Sequence, residues 1–418
     1  MLPPIFRHRG FGVFWLGVVL SATGARASAA ANLWQVQELT NSTLAVGLVA
    51  LFEAVAIVGL APIGGSVADW LPRRRLLQVA QASSMISSIA LAGLTFAHVI
   101  TPAWIYLGAT VVAAAATFDT PARQSLVPAV VPRERLVDAF SLLVPGMHLA
   151  RLIGPAIAGA LISLWGAGSV YILDAATYGV LVVTLPFIGF REQPLSRRKA
   201  LWSSVGEGFQ YVRQRAVIWQ LIALDLAGTL FAGYRVLLPA IARDIFAVGP
   251  VGYGFLSAAP ALGAVFGAGT AYRLRTLSRR GRLAIGAAVG YGLFVIALGY
   301  VPAFALAVVC AGTIGFFDSM GATIRHATLQ GATPDHLRGR VTSAYQMFSR
   351  GGTALGQAQL GAIASSLGPS LALALGGVLA LTSTVAIAAR GQAVRRYDIR
   401  LPAPGSAVAA SVEADSSE

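Results

Sequence analysis

Four charged residues stand inside stretches that are otherwise apolar: Arg26, Glu53, Asp174 and Asp225. A charge at the centre of a bilayer costs about 2.5–3.5 kcal/mol on insertion scales, so such groups must face partners or a water-filled cavity. A carboxyl group in a low-dielectric cavity, as expected for Glu53 or Asp225, can exchange a proton during a transport cycle. Arg26 can hold an anionic ligand or serve as a counter-ion, and Asp174 is a candidate on the same grounds. Two further sets have helical spacing: Asp119 with Arg123, and Asp318 with Arg325. Separations of four and seven residues place each set near one helical face, which predicts a salt-bridged inner gate in each half of the chain. The plainer alternatives are a static pair anchoring a helix end and, for each deeper charge, a purely structural pair.

The elements that must position these groups follow from composition. Of 418 residues, 56% are hydrophobic and 11% charged, with mean hydropathy +0.70. That balance belongs to a chain whose solvent is lipid. Crossing a hydrocarbon core takes roughly 20 apolar residues, and about twelve such runs occur, near 11–34, 45–70, 76–98, 103–126, 139–164, 168–190, 216–242, 252–272, 282–300, 303–325, 341–366 and 368–389. The first run is too long for the core of a signal peptide and reads as an uncleaved helix. The net charge of +14 resides in short loops, so nucleic-acid binding is not expected. Arg73 to Arg75, Arg133 and Arg135, Arg191 to Arg215, Arg273 to Arg282, and Arg338 with Arg340 all follow even-numbered runs. By the positive-inside rule those loops and both termini face the cytoplasm. Cys310 is the single cysteine, which excludes a disulfide framework and a Cys-based metal site.

The chain repeats itself. Phe118-Asp119 and Phe317-Asp318 lie 199 positions apart, and so do Arg151 and Arg350; a basic, Pro-containing loop and a Gly-rich helix follow each Asp. An internal repeat of this length is a mark of transporter folds. The expected organisation is an N-terminal six-helix bundle (1–190), a cytoplasmic linker (191–215), a C-terminal six-helix bundle (216–390) and a cytoplasmic, disordered tail (391–418).

Two six-helix halves joined by a long central loop resemble the major facilitator superfamily. Gly65-Ser-Val-Ala-Asp69-Trp-Leu-Pro-Arg73-Arg74-Arg75 resembles that superfamily's loop motif between its second and third helices, departing from it at Trp70 and Pro72. The resemblance implies a gating role for Asp69 and Arg73. Arg151-Leu-Ile-Gly154-Pro155-Ala-Ile-Ala-Gly159 resembles the Gly-Pro element of the superfamily's antiporters, with Gly159 one position late, and implies a bend in the fifth helix through Gly154, Pro155 and Gly159. Phe118-Asp119-Thr-Pro121-Ala-Arg123-Gln124 and Gln330-Gly-Ala-Thr333-Pro334-Asp335 resemble the enterobactin-exporter-like and macrolide-efflux-like branch.

The expected fold is thus an all-α membrane protein of about twelve transmembrane helices in two pseudo-symmetric six-helix bundles. The resemblance implies export of a small organic molecule, a siderophore, a macrolide-like drug or another metabolite, by proton antiport. The expected setting is a bacterial inner (plasma) membrane, with the protein working as a monomer in the lipid bilayer. No nucleotide-binding loop, metal cluster or hydrolase elbow occurs, so no cofactor, metal or enzyme activity is expected. Proton-coupled nutrient import and a non-transporting membrane receptor stay open beside export.

Overall fold

Long apolar runs become helices because lipid leaves backbone amides no other partners. The computed structural model describes residues 5, 9–70, 72–189, 210–274, 280–334 and 337–391, with the backbone alone for 9, 61–70 and 133. The expected linker falls almost wholly outside them, and the expected tail does so beyond Gly391. Twelve long helices are described: α1 Arg9–Thr40, α2 Thr43–Trp70, α3 Arg73–Phe96, α4 Pro102–Val130, α5 Leu136–Trp165, α6 Ala167–Thr184, α7 Ala216–Phe231, α8 Gly249–Arg273, α9 Arg280–Leu298, α10 Phe304–Gly331, α11 Arg338–Leu367 and α12 Pro369–Arg390. Counting α7 with its continuation to Ile245, eleven of these segments are long and apolar enough to cross a membrane. The exception, α11, has the length but carries Arg338, Arg340, Gln346, Arg350 and Gln357. Of these, Gln346, Arg350 and Gln357 face the space between the helices and not lipid.

The packing shows the repeat directly. In the first half α1 packs on α5 and α6, α4 on α2 and α3, and α3 on α6. Adding six to each label gives the packing of the second half: α7 on α11 and α12, α10 on α8 and α9, and α9 on α12. The halves meet along α2 with α11 and along α5 with α8, which are one contact and its symmetric image. Both α5 and α11 stop at a glycine with positive φ, Gly166 (77°) and Gly368 (81°), and the next helix starts at once. Such a corner needs a residue without Cβ.

The seventh run differs from its expected form. Residues 216–242 read as one apolar stretch, yet α7 ends at Phe231. A 3-10 turn, Tyr234–Leu237, and a π-turn, Ile241–Ile245, follow. At Gly233 a Cβ would lie 2.8 Å from the backbone nitrogen of Gln357 in α11, so only glycine fits, and Pro239 brings no amide hydrogen. The Tyr291 hydroxyl donates to the freed Ala232 carbonyl at 2.9 Å, which satisfies the interrupted helix end.

The contacts that join the halves gather at the end of the bundle away from the Arg-rich loops. Thr43 Oγ1 donates to Gly361 O at 2.9 Å, and the Tyr253 hydroxyl donates to Ala30 O at 3.0 Å. Arg243 Nη1 donates to Gln37 O at 3.3 Å. Between α5 and α8, a Cβ on Gly254 would meet Pro155 O at 2.8 Å and Gly159 Cα at 3.1 Å. Backbones approach this closely only through small residues. Gly254→Leu is therefore expected to force α5 from α8 and loosen this closure. With Cys310 replaced by Ser and a cysteine placed at Ala30, maleimide labelling should be several-fold faster in the Gly254→Leu background; equal rates would contradict the role given to this crossing.

Candidate functional site

Between the halves lies a cavity of about 790 Å³, walled by α1 to α5, by Tyr178 of α6 and, among others of α11, by Ser349, Arg350, Thr353 and Gln357. A second space of about 350 Å³, lined by the C-terminal half, shares those four α11 residues. The larger one reaches Phe140, one turn into α5 from the Arg-rich end.

In the first half, polar side chains connect three helices. Ser21 Oγ of α1 donates to Gln81 Oε1 of α3 at 2.8 Å, and Gln81 Nε2 donates to Asp119 Oδ1 of α4 at 2.6 Å. The other oxygen of Asp119 pairs with Arg123, as the four-residue spacing predicts. Arg123 Nη1 also lies 3.7 Å from Met147 Sδ of α5. Both members line the cavity. The pair holds its own half together and, in this state, does not reach across to the other.

In the second half the expected pairing is overturned. Asp318 and Arg325 do not form a salt bridge; Arg325 Nη2 lies 2.6 Å from Asp225 Oδ1. Seven residues place Asp318 and Arg325 on one face of α10, but α7 packs beside α10 and its carboxylate reaches the guanidinium first. Asp225 and Arg325 are both buried, and Asp225 Oδ2 has no hydrogen-bond partner. Asp318, exposed to the cavity, remains an electrostatic neighbour of Arg325 and also of Arg235 and Arg151. Tyr345 lies against the ion pair and interacts with both members.

Four arginines open to these two adjoining spaces: Arg26 of α1 and Arg151 of α5 to the larger, Arg235 from the turn after α7 to the smaller, and Arg350 of α11 to both. Among the described residues none of them has a carboxylate within 4.0 Å; the ion pairs present are Asp119–Arg123, Arg243–Asp244 and Asp225–Arg325. Glu53 of α2 lines the cavity as Arg26 does and acts on it electrostatically without bridging to it. Sequence reasoning named Arg26 and Glu53, but it used Arg350 only as a repeat marker, Arg151 only as a repeat marker and as the start of the Gly-Pro stretch, and it passed over Arg235. The repeat offset was the available signal. It relates Arg151 to Arg350 and Asp119 to Asp318, and it also relates Arg26 to Asp225, so each half places charges at the same three stations.

The other candidates fall elsewhere. Asp174 is fully buried in α6 behind the cavity wall and accepts a hydrogen bond from Ser88 Oγ at 2.7 Å. Gly24 lets α1 pass close above it, since a Cβ there would come within 3.1 Å of Asp174 Cα. Asp69 ends α2, and its side chain lies outside the described residues. Arg73 opens α3, half-buried. Gly154 lets α5 cross α1, its missing Cβ being replaced by Arg26 Cβ at 2.6 Å, and Gly159 lets α5 cross α8. Among the described residues there is no group of three or more His, Cys, Asp or Glu that could hold a metal ion.

A family model described as transmembrane secretion effector matches residues 2–416. The chain is 29% identical over 365 residues to the enterobactin exporter EntS of Shigella boydii serotype 18, covering 87% of each chain. It is 28% identical to the protein of the same name in Escherichia coli O139:H28, again with 87% of each covered. The fold is similar to the crystal structure of nucleoside transporter NupG (TM-score 0.74, 13% identity, 93% of this chain and 100% of that one). It is also similar to a bacterial homologue of iron transporter ferroportin in the inward-facing state (TM-score 0.71, 16% identity, 92% and 99%).

Asp119→Asn leaves Arg123 without a counter-charge in a largely buried position. Removing one partner of such a pair costs about 3 kcal/mol, the low end of the usual range, because Arg123 keeps some access to the cavity. A clear drop in the thermal unfolding midpoint of the purified protein is expected; an unchanged midpoint would show that the Ser21–Gln81–Asp119–Arg123 chain does not hold this half together.

Proposed function

The chain belongs to the transmembrane secretion effector family of the major facilitator superfamily and is a secondary transporter that exports a small molecule, and from that premise we propose that it does so by proton antiport through the cavity between its halves. Its family and relatives are transporters. We place it in a bacterial plasma membrane as a monomer, with both termini and the Arg-rich loops in the cytoplasm. On that orientation the closed end faces outward and the cavity opens inward, ready to load.

The observation that carries the reading is the buried Asp225–Arg325 pair with Asp318 beside it on the cavity wall. One guanidinium serves two carboxylates, and it bridges only one of them. A proton arriving on Asp225 cancels the charge that holds Arg325, leaving a buried cation whose nearest alternative is Asp318. An unpaired buried charge costs several kcal/mol, enough to bias a change in helix packing. Protonation from outside then favours the return to the inward-open state, and release inside resets the pair. Asp69, Arg73, Asp119 and Arg123 are proposed to hold the cytoplasmic gate, while Gly154, Pro155 and Gly159 let α5 move against α1 and α8. Arg26 and Glu53 serve the cavity. Asp174 lies behind the wall, so its part in coupling is through the α1–α6 contact.

Asp225→Asn tests this. In everted vesicles acidified inside by respiration, adding a transported compound should partly collapse the pH gradient with the parent protein and leave it intact with the variant. Downhill exchange of the compound should survive. A collapse as large as the parent's would exclude Asp225 as the coupling group.

A further inference from the structure

We propose that the exported molecule is an anion carrying at least two acidic groups, gripped by Arg26, Arg151 and Arg235, with Arg350 completing the site from α11. The proposal rests on the reading of this cavity as the substrate's path and adds the chemical class of what travels through it.

Guanidinium stays charged in a protein and cannot escape crowding by losing its proton. Arg26 has both Arg151 and Arg235 as electrostatic neighbours, and Arg151 in turn interacts with Arg235. Three like charges are thus brought together from α1, α5 and the turn after α7: Arg26 and Arg151 face the larger space and Arg235 the smaller one, which adjoins it along α11, and none is folded onto a carboxylate. By contrast Arg325, which is buried, and Arg123, which is half-buried, are both paired. The acids left facing the space are Glu53 and Asp318. Neither bridges an arginine, so four free cations stand against two free anions. A ligand with two acidic groups balances that excess, and planar guanidinium pairs well with carboxylate and similar oxyanions through two parallel hydrogen bonds.

The placement also suits a moving carrier. Arg26 and Arg151 belong to the first half, and Arg235 and Arg350 to the second. A dianion held by both sides draws the halves together, so its affinity differs between states, which is what lets a ligand shift a conformational equilibrium. Tyr291, half-buried, lines the smaller space with the buried Tyr234 and Tyr345 behind it and offers flat apolar surface beside Arg235, so an aromatic acid is the better fit. The larger space of about 790 Å³, with the smaller one of about 350 Å³ beside it, admits an organic molecule of drug size.

The test is direct binding to the purified full-length protein in low-salt detergent or nanodiscs, with no gradient present. The probes are isophthalate, an aromatic dianion, citrate, and isophthalamide as the neutral match for isophthalate. Isophthalate is expected to raise the thermal midpoint and to bind at least tenfold more tightly than isophthalamide. Arg26→Gln, Arg151→Gln and Arg235→Gln should each weaken isophthalate about tenfold. Arg151→Lys should keep part of the affinity, and Arg390→Gln at the far end of α12 should change nothing. Glu53→Gln, which removes a competing anion, should tighten binding. Equal binding of isophthalate and isophthalamide by the parent protein would overturn the proposal, as would anion affinity indifferent to the three Gln variants. Because binding is read without transport, a failure of proton-driven export leaves this result standing, and absent anion binding leaves export of a neutral molecule standing.

Discussion

A charge inside hydrocarbon must find water or a counter-charge, and the arrangement of this molecule follows from that constraint. The residues that would be intolerable against lipid are gathered on the inner faces of α1, α2, α4, α5, α7, α10 and α11. Some neutralise each other, as Asp119 does Arg123 and Asp225 does Arg325. The rest need a watered space, and the cavity supplies it. The outward faces show the complement: Val55, Val79, Leu164 and Phe187 are among the large apolar side chains most exposed on the surface, where acyl chains replace water.

Association of apolar helices in lipid gains little from hydrophobic burial, so close packing must do the holding. Small residues therefore sit at every crossing that joins the halves: Gly47 and Gly361 between α2 and α11, Gly159 and Gly254 between α5 and α8. These contacts lie at one end, and the charges lie deeper in. A carrier built this way can open at the end where glycine contacts are few and keep its polar network intact within each half as the halves rock. Export of an anion gains from the membrane potential as well as from protons, at about 2.3 kcal/mol per charge per 100 mV when the interior is negative. An arginine-rich empty carrier is drawn back inward by the same field.

Most of the architecture was readable in the sequence because lipid imposes one rule on every span. Twelve apolar runs gave twelve helices, and the 199-residue offset of Asp119 and Asp318 gave the two-fold pattern of packing. The run at 216–242 misled because hydropathy does not register a close backbone approach: Gly233 matters through Gln357, more than a hundred residues away. The run at 341–366 was counted although its polarity is that of a cavity wall. Spacing within one helix succeeded for Asp119 and Arg123. It failed for Asp318 and Arg325, because the partner that wins, Asp225, comes from another helix and only the fold brings it near. Arg235 was missed for a similar reason, since its exposure to the cavity depends on the break in α7.

The most direct test of the central claim is accumulation of labelled siderophores and macrolides in bacterial cells with and without the protein, in parallel with a protonophore. The account predicts lower accumulation of at least one compound when the protein is present, restored to the control level by the protonophore. Accumulation raised by the protein, or lowered to the same extent with the proton gradient collapsed, would contradict it.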